Sequence, residues 1–312
     1  MRAFAIAGLL LLSTFPSQAE PITVVTWNIE GPAGLENKNL IGLAAFVGSA
    51  DAVVIEEVLG EDQMQAAMRS AGMIGWSKAV SDFAKDSFQD PYRKQEIAIL
   101  SPHEIGLVRE IDPYPNDDTE VMRERDEDFS VPAWMPEDQR NSKGARGWLW
   151  VEIPSLKLVV IAVHLKSSQG KKGKDDEENS FKREAVASSL GVAILQDSTA
   201  RPTWSYVVAG DFNVAPGDSY KVGTDLGLRC VQSDCHYYDQ THALLGGGLV
   251  PRLTMRNLTV GLSASYAKGT FVDSPIDNIY AKGSIFDATT KLTLERGPTF
   301  GSNHYAIKVT AE

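Results

Sequence analysis

The chain predicts a mixed α/β (α+β) domain, and three observations carry that prediction. Short runs dense in Val, Ile and aromatic residues recur: "ITVVTWN" (22–28), "DAVVIEEV" (51–58), "EIAILS" (96–101), "GWLWVEI" (147–153), "KLVVIAVHL" (157–165), "SYVVAGDF" (205–212), "IDNIYA" (276–281) and "HYAIKVT" (304–310). Their length and β-branched content are those of buried strands. Segments of helical period lie between some of them: a stretch near 37–48, "EDQMQAAMRSAG" ending at Gly72, and "NSFKREAVASSLGVAIL" with apolar positions at 181, 185, 186, 190, 193 and 194. Finally, some strands follow one another in hairpin-like succession while others are joined by helices, which predicts mixed sheets in place of a uniformly parallel one.

Residues 1–19, "MRAFAIAGLLLLSTFPSQA", combine Arg2, an apolar run from Ala3 to Leu12, and small residues at Ser17 and Ala19. That is the pattern of a secretory signal peptide, too short to remain as a membrane span. A buried first strand or helix is the competing reading, disfavoured because "PITVVTWN" directly after it already supplies a first strand. Residues 20–312 are therefore expected to form one exported domain, secreted or periplasmic, monomeric and without an integral membrane segment. No linker divides them. The formal net charge of −11 argues against non-specific wrapping of nucleic acid, but leaves room for a local basic groove. In an oxidising compartment Cys230 and Cys235 are expected to form a disulfide closing a small loop. Two stretches read as surface excursions: 111–143, rich in Asp, Glu, Pro and Arg, and "SSQGKKGKDDEENS" (167–180), a basic block beside an acidic one.

Polar residues recur where the apolar runs end. Asn28 closes the first, Glu56 and Glu57 the second, His164 sits in "VHL", Asp211 and Asn213 in "GDFN", Asp277 in "PIDNIY", and His304 opens the last. A single strand-end carboxylate is ordinarily a turn former or helix cap. Eight such positions suggest convergence at one rim of a layered fold. Carboxylate and amide oxygens are hard ligands suited to Mg²⁺ or Ca²⁺, and two histidines supply acid and base. No G-x-S-x-G elbow and no P-loop is present, so metal-assisted attack of water on a phosphate ester is the chemistry this kit fits.

In that order, "TWNIEG", "DAVVIEEV", "VHLKS", "GDFN", "PIDNIY" and "SNHYAI" resemble the motifs of the endonuclease/exonuclease/phosphatase (DNase I-like) superfamily, over roughly residues 22 to 310. The resemblance implies a four-layer sandwich, two packed mixed β-sheets flanked by helices. It also implies roles. Asn28 matches an Asn that helps hold metal and phosphate, and Glu57 the Glu that ligates the cation, Mg²⁺ or else Mn²⁺ or Ca²⁺. Glu56 falls in a slot that is often Gln. Asp211 and Asn213 match the pair that orients the attacking water and the phosphoryl oxygens. His164 matches the first catalytic histidine and His304 the second, a general base oriented by Asp277. Arg146 resembles a phosphate-contacting Arg, and Lys166 with the 171–174 basic block extends a phosphate-binding groove. Tyr92 and Glu96, in "PYRKQEIAIL", are similar to a Tyr and to the acidic partner of the first histidine; the alternative for Glu96 is a strand-end surface acid. One residue departs from the pattern. The Asp that usually precedes the second histidine is Asn303 here, and as a metal ligand its amide oxygen is weaker than a carboxylate.

The resemblance thus implies a metal-dependent phosphodiesterase, with nucleic acid as the expected substrate. Two alternatives stand beside it. A member of the same fold could act on a phospholipid (sphingomyelinase-like), an inositol phosphate or another phosphomonoester. From another class comes a non-catalytic binding or toxin-associated module, for which Asn303 is the best argument.

Overall fold

The computed structural model describes residues 20–30, 38–82, 96–112, 126–128, 146–167, 177–216, 219–220, 237–246, 253–267 and 274–312. The expected signal peptide, Tyr92, the 171–174 block and the Cys230–Cys235 disulfide lie outside them. In chain order the elements are β1 (Ile22–Asn28), α1 (Leu40–Val47), β2 (Ala52–Val58), α2 (Glu61–Ser70), β3 (Ser77–Val80), β4 (Glu96–Ser101), β5 (Val108–Asp112), β6 (Asp126–Asp128), β7 (Trp148–Ile153) and β8 (Leu158–His164). They continue with α3 (Glu177–Ala200), β9 (Ser205–Asp211), β10 (Ser219–Tyr220), β11 (Tyr237–Tyr238), α4 (Thr241–Gly246), β12 (Arg256–Asn257), β13 (Asp277–Lys282), β14 (Leu292–Arg296) and β15 (Ile307–Ala311).

Two large sheets form. One has six strands in the order β14-β15-β1-β2-β4-β3, the other seven in the order β12-β13-β9-β8-β7-β5-β6. Both are mixed: β1 pairs β2 in parallel and β8 pairs β9 in parallel, while β15, β4, β13 and β7 join them antiparallel. Alternation along each strand explains the stacking. From β1 and β2, Val24, Ala52 and Val54 meet Leu149, Val151, Val160, Val207 and Ile279 of the other sheet in a central core. The opposite faces are apolar too. Val25, Trp27 and Ile55 pack against Leu43 of α1 and Met64 and Met68 of α2. Ile161, Tyr206 and Val208 pack against Val186, Leu190 and Ile194 of α3 and Leu244 and Leu245 of α4. Strands covered on both faces read as continuous apolar runs, which is why they were legible in the sequence. The result is the expected four-layer sandwich of helices, sheet, sheet and helices.

At Gly210 the ladder between β8 and β9 demands glycine: φ is 144° and an added Cβ would lie 1.8 Å from the Val163 carbonyl oxygen. That close approach sits one residue before Asp211, directly beside the His164 end of β8.

Two expectations are corrected. His304 does not open the final strand, which starts at Ile307. Gly297 N–H donates to the Ala306 carbonyl (2.8 Å) and Ala306 N–H to that of Pro298 (3.2 Å), so the residues between leave the ladder as a closed loop, and His304 pairs instead with Tyr266 in an isolated bridge. The 111–143 stretch is not loop throughout, because β6 within it adds to β5 in parallel. Among the described residues no helix is long and apolar enough to cross a membrane.

Candidate active site

Strand register alone brings most of the singled-out polar residues together. Asn28 lies opposite Glu56 in the β1–β2 pair, His164 opposite Asp211 in β8–β9, and Asp277 opposite Asp211 in β13–β9. Because the two sheets face each other, Asn28 on one reaches Asp211 on the other: its Nδ2 donates to Asp211 Oδ2 (3.1 Å) and to Glu57 Oε1 (3.3 Å). Its Oδ1 accepts from Glu30 N–H (2.9 Å). Asn28 is thus a bridge between two carboxylates.

The two glutamates ending β2 separate because the strand bulges between Glu56 and Val58. Glu57 takes a φ of 65°, a conformation costly for a side chain of this kind. This turns Glu57 to the rim while Glu56 stays fully buried below it. Glu56 Oε1 accepts from Thr26 Oγ1 (2.6 Å) and its Oε2 has no hydrogen-bond partner. Burial, and then the charge of Asp277, push its pKa well above the usual carboxylate range. A protonated carboxyl offers one donor and one acceptor, as an amide does, which makes Glu56 a neutral occupant of its slot.

"GDFN" folds as a tight turn. Asn213 adopts a left-handed φ of 54°, which Asn tolerates, and its N–H donates to Asp211 Oδ1 (2.7 Å). Its Nδ2 donates to the Leu165 carbonyl (2.9 Å), which also accepts from Arg146 Nη1 (3.4 Å); Leu165 N–H in turn bonds the Asp211 carbonyl (2.8 Å). The residues after His164 are held from behind by Arg183 of α3. Buried at 1% exposure, it donates through Nε and Nη2 to Asp239 (3.0 and 2.6 Å) and through Nη1 to the Lys166 carbonyl (2.7 Å).

His304 faces this cluster from the 297–306 loop. Its Nδ1 donates to both oxygens of Asp277 (3.1 and 2.9 Å), leaving Nε2 3.9 Å from Asp211 Oδ2. Ser302 Oγ accepts from His304 N–H (3.1 Å) and donates to the Asn28 carbonyl (2.7 Å), tying the loop to β1. Ser265 Oγ accepts from Asp277 N–H (2.8 Å). Tyr266 stacks edge-on against His304, centroids 4.7 Å apart, and its hydroxyl accepts from Asn303 Nδ2 (2.9 Å). His164 approaches from the other side, with Nε2 3.6 Å from Glu57 Oε1 and 3.8 Å from Asp211 Oδ2.

The charges of the two histidines are driven apart. Burial pulls the His164 pKa well below its ordinary value, and the nearby cations Arg146, His304 and Lys166 add to this. At His304 burial acts downward as well, but Asp277, by charge and hydrogen bond, with Asp211 and Glu57 behind it, outweighs that and lifts the pKa to about 9. Asp211 is lifted to about 7, by burial first and then by Asp277. Burial lowers the Arg146 pKa, against the pull of Glu57 and Asp211.

Glu96 does not pair with the first histidine. Its Oε2 accepts from Ser81 Oγ (2.6 Å), and His164 Nδ1 has no hydrogen-bond partner. Tyr266, Ser265, Ser302 and Arg183 were not foreseen. A tyrosine or serine in a polar loop has no distinctive spacing, and Arg183 reads in sequence only as the polar face of a helix.

The donor set fits a hard divalent cation. Asp211, Asp277 and His304 each offer a ligand atom within 4.8 Å of the others. Asp277, though, has both oxygens on His304. Glu57 and Asp211 add carboxylate oxygens joined through Asn28 Nδ2, and Asn303 Oδ1 is buried without a hydrogen-bond partner.

No family model and no curated protein matches the chain. Solved structures do. The endonuclease/exonuclease/phosphatase from Bacteroides vulgatus aligns with a TM-score of 0.55 at 12% identity, covering 94% of this chain and 98% of that one. An AP endonuclease from Archaeoglobus fulgidus gives 0.55 at 14% identity (92% and 98%). The 3′ phosphatase NExo from Neisseria, bound to product DNA hairpin, gives 0.52 at 17% identity (93% and 98%). Likenesses this distant establish the fold, and it is the DNase I-like, endonuclease/exonuclease/phosphatase fold.

Proposed function

We propose that the chain is an exported, divalent-metal-dependent phosphodiesterase that hydrolyses nucleic acid. One observation carries the reading: the Asp277–His304 couple presents its open Nε2 to Asp211 inside a cluster that also holds Glu57, Asn28 and His164. A dyad of this geometry takes a proton from water, Asp277 fixing the tautomer and stabilising the cation formed. Asp211, its backbone locked by Leu165 and its side chain by Asn28 and the Asn213 N–H, is placed to orient that water. His164, kept neutral, turns Nε2–H towards the carboxylates and so towards a phosphate seated there, as a donor rather than an acid. Arg146 and Lys166 supply positive charge on the same side. Glu57, Asp211 and Asn303 would hold the cation, Mg²⁺ foremost; when bound it offsets the carboxylate charge, lowers the His304 pKa and polarises the phosphate. Nucleic acid is favoured as substrate because two of the similar folds are an AP endonuclease and a phosphatase bound to a DNA hairpin.

The test is incubation of residues 20–312 with plasmid DNA, RNA, sphingomyelin and a phosphomonoester, each with Mg²⁺, Mn²⁺, Ca²⁺ or EDTA. Nicking or RNA cleavage that EDTA stops is expected. Lipid or monoester cleavage alone would move the substrate assignment, and inertness with all four would leave a binding module. His304→Ala and Asp211→Ala should each reduce hydrolysis by about 10²- to 10⁴-fold while the protein stays folded. Unchanged turnover in either variant would refute the mechanism.

A further inference from the structure

His242, the second residue of α4, lies behind the "GDFN" turn and outside the cluster described above. Its ring stacks on Phe212, with centroids 5.3 Å apart and planes 17° apart, and its Nε2 lies 2.9 Å from the Val214 carbonyl oxygen. It therefore grips the residues on either side of Asn213, both of them fully buried. A carbonyl only accepts, so Nε2 carries the proton, and Nδ1 of the neutral ring is an acceptor. The Tyr280 hydroxyl, 2.7 Å away, follows by donating to Nδ1, and its oxygen takes Asn257 Nδ2 (3.2 Å). The histidine is placed from its own side as well. Thr241 N–H donates to Asp239 Oδ1 (2.9 Å), and Leu244 and Leu245 seat α4 in the core. Where the chain enters the turn, Phe212 N–H donates to the Ile276 carbonyl (2.9 Å). Where it leaves, the hold is His242.

We infer that His242 is a positioning residue: its Nε2–H fixes the exit of the turn, so that Asn213 keeps its left-handed backbone and Asp211 its aim. An asparagine tolerates a φ of 54° without favouring it, so the peptides around it must be held for the conformation to persist. If the Val214 peptide swings, Asn213 N–H leaves Asp211 Oδ1, and the carboxylate loses a donor that orients it. The effect on turnover rests on the hydrolase reading above. The hold on the turn does not, and it is measured without substrate.

Three substitutions separate the contacts of the ring. Glutamine reaches as far as Nε2 and can donate to the Val214 carbonyl. Asparagine reaches only as far as Nδ1, so it can accept from Tyr280 but not hold Val214. Phenylalanine keeps the stack on Phe212 alone. Backbone hydrogen exchange of metal-free residues 20–312, followed by NMR, reports the turn directly. The Asn213 amide should exchange about 10-fold faster in His242→Asn and His242→Phe than in wild type or His242→Gln, with the Val207 and Val208 amides of β9 unchanged. On the substrate that wild type cleaves, kcat should fall about 10- to 100-fold in the Asn and Phe variants with KM within about threefold, and His242→Gln should stay within about fivefold of wild type. Equal protection of Asn213 in all four proteins overturns the inference. So does a phenylalanine variant that matches glutamine, which would reduce the role to packing, or a rise at Val207 and Val208 as large as at Asn213, which would reduce it to stability. If wild type cleaves nothing while the exchange pattern holds, the hydrolase reading fails and the assignment of His242 stands.

Discussion

His164 and His304 stand 3.8 and 3.9 Å from the same oxygen of Asp211, yet one is held neutral and the other protonated. The difference lies in their second nitrogens, since His164 Nδ1 meets no acceptor while His304 Nδ1 meets a buried carboxylate. This asymmetry has a thermodynamic sign. The folded state raises His304 from 6.5 to about 9, a contribution fully present below 6.5 and lost as pH climbs through 9. Asp211 is raised from 3.8 to about 7, so its retained proton likewise favours the fold at low pH and is lost through 7. Metal-free protein should therefore lose stability as pH rises across this window, by about 1.4 kcal/mol per unit for each proton the fold retains. Urea unfolding in EDTA at a series of pH values measures the slope, and His304→Gln should flatten it above pH 6.5. A flat or rising profile for wild type would contradict the charge states. At this scale the residues with a motif around them were readable from sequence. Tyr266 and Ser302 were not, because they act through hydrogen bonds closed only by the fold, and Glu96 misled because an acid at a strand start says nothing about which partner it finds.

Elements set where the side chains can act. The bulge in β2 is a one-residue irregularity, and it sends Glu57 to the rim and Glu56 to the floor. Two adjacent acids in "VVIEEV" cannot announce this, since strict alternation would simply put them on opposite faces. Helix α3 works at longer range: Arg183 joins Asp239, before α4, to the Lys166 carbonyl behind His164. Removing one member of a buried ion pair strands the other, so Arg183→Met should cost about 3–5 kcal/mol. Denaturant unfolding of the single variant and of Arg183→Met/Asp239→Leu checks this; the double variant should recover part of the loss. Equal destabilisation in both would mean that Asp239 gains nothing from the arginine. The strand and helix runs were legible because both faces of each sheet are covered, whereas β3, β14 and the two-residue pairs carry too little apolar pattern to stand out from loop.

On the scale of the molecule, the centre is a meeting of two sheets, each contributing acids that repel. A cation that binds only this arrangement stabilises it by mass action, about 2.7 kcal/mol when present at a hundredfold its dissociation constant. Chelation should accordingly lower the melting temperature of wild type, and much less that of Glu57→Gln; differential scanning calorimetry with Mg²⁺ and with EDTA decides. An identical shift in both proteins would place the ion elsewhere. The mixed α/β class was legible in the recurring buried strands, and the four-layer architecture in the resemblance that six ordered motifs carry, but the loop at 297–306 was not, because its course depends on Gly297 and Ala306 closing on each other. One pairing bears on when activity arises. β1 is zipped to β15, with Ile22 facing Ala311, and Ser302 fastens the loop before β15 to Asn28. Asp277 and His304 belong to the same late-made stretch. A chain emerging from the ribosome therefore carries Glu57, His164 and Asp211 for most of its synthesis with no acid–base couple to use them, and its first strand keeps an open edge. Competence for the proposed chemistry would therefore arrive only with the last residues of the fold.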